Sequence, residues 1–276
     1  MKKVLIPTDF SSNARKACTY ALNLFMYEKD TEFYLMHSYE VVKTSGMLIS
    51  IEDILRKEAE EKLNNELTWF LSQDDGLQPN RVKPIVKFGT VEDACNGLVE
   101  SENIDFIVMG TTGASGLKEV FLGSNAAKVI KSAPCPVISV PESCEITAPL
   151  KICLSVDYQE PVAKNSLKTL NYMSQTFGSF IEIVYIYADK KELKNKEKIE
   201  QTLYESLEQQ KSAFNYIETK KEVWEAIIDF IEEKNCTLLA IPMQKRNFFK
   251  ALFHQSVSSK LAMKVNVPML TLPYKD

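Results

Sequence analysis

KVLIPTDFSSNARKACTYALNLF, residues Lys3–Phe25, reads as a short apolar strand, a polar turn around Asp9, and a helix. Ala14, Ala17, Ala21, Leu22 and Phe25 recur at spacings that gather on one helical face, and Ser11 or Ser12 stands where a cap is needed. The same design returns as KICLSVDYQEPVAKNSLKTLNYM from Lys151, with Asp157 in the place of Asp9. Further correspondences follow in order. EFYLMHSY (32–39) matches FIEIVYIY (180–187), and GTVEDACNGLVESENIDFIVMG (89–110) matches KEVWEAIIDFIEEKNCTLLAIP (221–242). The closing strands APCPVISVP and VNVPMLTLP end at Pro141 and Pro273. Lys3 and Lys151 lie 148 residues apart but Pro141 and Pro273 only 132, so the second copy is 16 residues shorter, a loss that falls in the charged helical stretch after its second strand.

Internal repetition of this kind marks a duplicated structural unit. Each copy runs strand, helix, strand, long helix, strand, helix, strand, helix, strand. Short Val- and Ile-rich strands separated by helix-length periodic segments predict parallel βαβ units with right-handed crossovers. The expected fold is α/β: two tandem doubly wound domains, each with a five-stranded, mostly parallel sheet flanked by helices. The expected domains are residues 1–142 and 150–276, separated by the linker Glu142–Pro149.

Composition bounds the function. At 276 residues, 45% hydrophobic and 25% charged, the chain can bury substantial cores, and a net charge of −4 argues against a nucleic-acid surface built on bulk basicity. No apolar run reaches a membrane-spanning length, and MKKVLIPTDF has too short an apolar stretch for a secretory leader. The six cysteines form no CxxC pair and read as reduced, buried thiols of a cytoplasmic protein. Two histidines offer little material for a zinc or histidine-based catalytic centre, and no metal site is expected.

The chemistry concentrates in VMGTTGASGLKEVFLGSNAAKVIK, where Gly110 follows the strand DFIVM and Gly113 and Gly123 follow it. Glycines let backbone N–H groups approach a phosphate, and the first turn of the helix NAAKVIKSA adds free donors and a favourable dipole. Ser115, Ser124 and Asn125 can add side-chain hydrogen bonds. The plainer alternative is that the glycines serve turns and Ser124 merely caps a helix. There is no GxxxxGK[ST] motif and no GxGxxG after the first strand.

The pattern Gly110-x2-Gly113-x9-Gly123-Ser124, with KVLIPTDFS at the start and PCPVISVP at the end, resembles the nucleotide-binding signature of the universal stress protein family. The resemblance covers the first half fully and the second more weakly, so the chain is similar to a tandem universal stress protein. It implies an ATP-binding module that acts in stress survival, usually as a dimer. It places Pro7, Thr8 and Asp9 against adenine and ribose, Ser38 in the adenine pocket, Met109 and Gly110 by the ribose, and Gly113, Ser115, Gly123, Ser124 and Asn125 around the phosphates. Ser38 departs from the apolar residue usual there. Mg²⁺ between phosphates fits such a site, because that ion relies on phosphates and water more than on protein ligands.

In the second copy Pro242, Lys245 and Gln255 stand at the positions of Gly110, Gly113 and Gly123; only Ser256 matches, at Ser124. Proline has no N–H to offer, so no nucleotide is expected there in the usual manner. Lys245, Arg246 and Lys250 make that loop basic, either a solvated surface or a site for another anion, beside the aromatic cluster Phe248, Phe249 and Phe253. The expected partners are an adenine nucleotide, the other domain of the same chain, paired through the closing strands, and a second copy in a homodimer. No catalytic residue emerges. Glu119 and Lys118 read as a solvated helix face, and His37 and His254 lie in different copies. A regulatory ATP-binding module is favoured over a slow ATPase or nucleotide-dependent transferase, and over a nucleotide-free scaffold.

Overall fold

The computed structural model describes all residues except 29, 42–47, 112–122, 157–161, 163, 190–192, 194–195, 209, 244–264 and 275–276. Among the described residues the chain divides between Glu142 and Ser143 into two compact units.

In the first unit, strands β1 (Lys3–Pro7), β2 (Glu32–Tyr39), β3 (Val82–Phe88), β4 (Phe106–Gly110) and β5 (Val137–Val140) alternate with helices α1 (Ser12–Phe25), α2 (Leu48–Leu71), α3 (Val91–Glu102) and α4 (Ser124–Ser132). The strands pair in parallel in the order β3-β2-β1-β4-β5. The chain therefore moves outward through β2 and β3, then returns to the other side of β1. That reversal parts the crossovers between β1 and β4 and opens a crevice beyond their carboxyl ends. Val4, Leu5 and Ile6 of β1 and Ile107 and Val108 of β4 have no exposed surface. Burial on both faces explains why these strands read as unbroken apolar runs.

Ser11 caps α1, its Oγ accepting from the Ala14 N–H at 3.1 Å. Ser12 is instead the first helical residue, and its hydroxyl donates to Glu142 Oε1 at 2.8 Å. The alanine-rich stripe foreseen in the sequence is buried throughout, with Tyr20 and Leu24 added to it. On the opposite flank Arg15 forks onto Glu66 of α2 through Nε and Nη2, at 3.0 and 2.8 Å, and its guanidinium lies 4.8 Å from the Trp69 ring centre. Glu66 is only 1% exposed, so this fork is what keeps a carboxylate tolerable between the helices.

The second unit repeats the plan with β6 (Lys151–Ser155), α5 (Lys164–Phe177), β7 (Phe180–Tyr187), α6 (Lys196–Ser206), β8 (Ser212–Glu218), α7 (Val223–Lys234), β9 (Leu238–Pro242) and β10 (Met269–Leu272). Its parallel order is β8-β7-β6-β9-β10. The α/β architecture and the five parallel strands of each unit are as the sequence predicts. The shortening falls where the offset puts it: α6 has 11 residues against 24 in α2.

Small devices are duplicated as well. Helices α3 and α7 both end on an asparagine in the left-handed region, Asn103 (φ 56°) and Asn235 (φ 53°), which tolerates that conformation better than most residues. The lysine opening the first strand of each unit donates to the last carbonyl of the helix, Lys3 Nζ to Glu102 O and Lys151 Nζ to Lys234 O, at 2.7 and 2.9 Å. All six cysteines are free and buried, and burial pushes the Cys18 thiol above its ordinary range. Among the described residues no helix is long and apolar enough to cross a membrane, and no cluster of His, Cys, Asp and Glu is placed to hold a metal.

Candidate functional site

A cavity of about 360 Å³ lies at the carboxyl ends of β1, β2 and β4, within the range of small-molecule sites. Pro7, Thr8 and Asp9 line it from the end of β1, and Ser38 from β2. Met109 and Gly110 line it from the end of β4, and Gly123, Ser124 and Asn125 from the start of α4. The residues singled out in the sequence thus converge on one cavity although they span more than a hundred positions. Gly113 and Ser115 lie outside the described residues, as do Asp157, Lys118, Glu119 and the basic loop of the second copy.

The end of β1 is shaped by short bonds. Thr8 N–H continues the ladder by donating to Met36 O at 2.8 Å. The Thr8 Oγ1 accepts from Phe10 N–H at 3.0 Å, and Asp9 Oδ1 accepts from both the Ser11 hydroxyl (2.6 Å) and the Ser11 N–H (3.1 Å). This nest of side-chain-to-backbone bonds fixes the direction of the Asp9 carboxylate, which is exposed at the cavity. Such a group accepts from hydroxyl donors.

The start of α4 departs from the plainer alternative reading of Ser124 as a helix cap. Gly123, not Ser124, is the N-cap, and no side chain caps the helix. Ser124 is the first helical residue. The N–H groups of Ser124, Asn125 and Ala126 therefore have no partner within the helix, and they stand at the cavity wall with the positive end of the helix dipole. Thr111 O accepts from Gly123 N–H at 2.6 Å, tying the two ends of the glycine-bearing segment together.

Gly110 has a reason to be glycine that the sequence hid. A Cβ at this position would lie 2.5 Å from Asn13 Oδ1, 2.8 Å from Asn13 Cγ and 3.0 Å from Asn13 O. Asn13 is itself buried, and its Nδ2 donates to Val140 O at 2.9 Å. The first turn of α1 thus presses onto the end of β4, and the missing side chain is required by protein packing. Reading Gly110 only as room for a ligand is incomplete.

The cavity is also lined by residues that no sequence signal singled out for it: Ala14, Met36, His37, Val91, Thr111 and Ala126. Most supply apolar wall. His37 is different, because its Nδ1 lies 2.8 Å from Thr8 O and its ring centre 4.4 Å from that of Phe10. The helical stripe of α1 would have revealed Ala14; nothing local marks His37. Among the described residues, Asp9 and His37 are the only titratable side chains lining the cavity. The arrangement offers hydroxyl-accepting oxygen at one end, exposed amides at the other and apolar wall between, which suits a phosphorylated nucleoside.

The family profile that matches the chain is that of the universal stress protein family, over residues 1–141 and 170–273. A universal stress protein of Methanocaldococcus jannaschii is 32% identical over 144 residues, spanning 50% of this chain and 81% of that protein. Universal stress protein G of Shigella flexneri is 31% identical over 147 residues, spanning 50% of this chain and 98% of that protein. Among solved structures, a universal stress protein from Archaeoglobus fulgidus superposes over 99% of this chain and 98% of its own, with a TM-score of 0.75 at 18% identity.

Proposed function

The chain belongs to the universal stress protein family, and on that premise we propose that it is a stress-response module that binds ATP in the cavity of its N-terminal unit. The observation that carries this reading is the convergence of the Asp9 carboxylate and the uncapped start of α4 on one cavity of about 360 Å³. The adenosine end lies by Pro7, Thr8, Asp9, Ser38 and Met109, and the phosphates lie against the amides of Ser124 and Asn125. Backbone donors at a helix start suit phosphate oxygens without any basic side chain. Mg²⁺, where it accompanies the nucleotide, is held by phosphate oxygens and water.

Binding rather than turnover is favoured because, among the described residues, the cavity lining holds no Lys or Arg to stabilise charge on a transferred phosphoryl group. The Asp9 carboxylate is engaged by Ser11, and the His37 ring by Thr8 O. In the second unit Pro242 ends β9 where Gly110 ends β4, and Val156 and Ile186 take the places of Thr8 and Ser38. The division of labour is a nucleotide-responsive first unit and a second unit that serves as a scaffold. Six buried thiols fit a reducing, cytoplasmic setting.

The test is direct. Protein purified natively is denatured, the released ligand is identified by mass spectrometry, and the refilled site is titrated calorimetrically with ATP, ADP and AMP. A bound adenine nucleotide that stays intact over hours is expected. Gly123 has φ −53° and ψ 140°, which a β-branched residue can adopt, so Gly123→Val folds while its side chain stands before the α4 amides. Affinity is expected to fall at least about tenfold, the loss of one or more charge-assisted bonds. No adenine nucleotide binding by the unmodified protein overturns the reading.

A further inference from the structure

His37 sits on β2 beside the cavity, opposite Val86 of β3. Its Nδ1 lies 2.8 Å from the carbonyl oxygen of Thr8. A carbonyl can only accept, so Nδ1 carries the proton, and in the neutral ring Nε2 does not. The same ring packs against Phe10 at 4.4 Å with an interplanar angle of 40°. Phe10 has φ 67°, in the left-handed region that bulky L-residues avoid. Such an outlier persists only when its surroundings hold it. The two holding interactions are the His37 ring and the bond from Phe10 N–H to Thr8 Oγ1.

The second unit provides a built-in comparison. Val156 N–H donates to Val184 O there, repeating the bond from Thr8 N–H to Met36 O, so the two strand pairs share a register. That register sets Tyr185 at the position of His37 and Val156 at that of Thr8. Tyr185 presents no ring nitrogen at the place of Nδ1, and Val156 has no hydroxyl at the place of Thr8 Oγ1. Among the described residues, the ring-and-hydroxyl hold on the turn is seen in the first unit.

We propose that His37 is a positioning residue of the nucleotide site: acting through the Thr8 carbonyl and the Phe10 ring, it holds the Thr8–Phe10 turn so that the Asp9 carboxylate faces the ligand. The proposal rests on the nucleotide-binding reading above. Without the imidazole, Phe10 is released toward the ordinary backbone regions, and the rotation carries Asp9, its immediate neighbour, away from the cavity. Ser11 then loses its bond to Asp9 Oδ1 as well.

Two measurements test it on the full chain. With only two histidines present, the imidazole nitrogens of ¹⁵N-labelled protein are assigned by comparison with His37→Leu. One ring in the Nδ1–H form, absent from the variant, is expected; an Nε2–H form for His37 overturns the proposal. ATP affinity is then compared among the unmodified protein, His37→Leu and His37→Asn, because an asparagine amide can place an N–H close to where Nδ1 sits. The leucine variant is expected to bind about tenfold more weakly and the asparagine variant within about threefold of the original, the scale of one hydrogen bond. Phe10→Gly keeps the positive φ without strain but removes the ring, so it remains folded and is expected to bind more weakly too. If the unmodified protein binds no adenine nucleotide, the functional reading fails and this inference with it. If it binds while His37→Leu and Phe10→Gly match its affinity, only the positioning role is overturned.

Discussion

Replacing Gly110 by alanine tests the packing that frames the site. The new methyl would lie 2.5 Å from Asn13 Oδ1 and 3.0 Å from Asn13 O, and the second atom is backbone, so a side-chain rotation alone cannot relieve the contact. Either α1 moves away from β4, or Asn13 swings and gives up its buried bond to Val140 O. Overpacking of this kind costs about 1–3 kcal/mol, and a disrupted buried hydrogen bond adds about 1–3 kcal/mol. The expected destabilisation is therefore about 2–6 kcal/mol. The protein has two tryptophans, Trp69 in the first unit and Trp224 in the second, so a Trp224→Phe background isolates Trp69 fluorescence as a reporter of the first unit in urea. With an m-value of about 2 kcal/mol per molar, the midpoint falls by about 1–3 M. In an Asn13→Ala background the nearest clash is gone, so Gly110→Ala costs less there than alone, a coupling that a double-mutant cycle reads. A midpoint unchanged by Gly110→Ala, or the same loss in both backgrounds, refutes the assignment of this glycine to helix–strand packing.

Other consequences are checked by similar means. Arg15→Met strands the Glu66 carboxylate at 1% exposure and should cost about 2–4 kcal/mol in urea unfolding, whereas Arg15→Met with Glu66→Met recovers most of that loss. Ser11→Ala removes the α1 cap and one partner of Asp9, so it should lower stability by about 1 kcal/mol and weaken ATP binding in calorimetry. The Lys83 ammonium donating to Glu32, and then the Tyr34 hydroxyl, hold that carboxyl below its usual range. A lowered folded-state value stabilises above the unfolded value and is lost as pH falls through the folded one. The stability gap between the unmodified protein and Glu32→Gln, about 0.5 kcal/mol at pH 7, should therefore begin to shrink as pH falls into the ordinary carboxylate range and close once pH passes the lowered folded value.

What was legible along the chain and what was not divide by the range of the interactions. The tandem α/β plan shows in the sequence because its causes are local. Unbroken Val, Ile and Leu runs mark strands buried on two faces, Ala14, Ala17 and Ala21 mark a helix pressed on a sheet, and the duplicated asparagines before Ile104 and Cys236 mark two equivalent helix ends. The residues of the site were also within reach, since a doubly wound sheet brings the ends of its central strands together whatever fills the loops.

The reasons those residues are needed were not within reach. Gly110 is set by Asn13, which lies 97 positions earlier; His37 acts on Thr8, 29 positions earlier; Arg15 needs Glu66, 51 positions later. A sequence determines periodicity, capping and the order of strands, because neighbours along the chain compete for the same backbone bonds. Only the folded sheet decides which side chain meets which carbonyl, because those contacts exist once distant segments have been packed to van der Waals distance and not before.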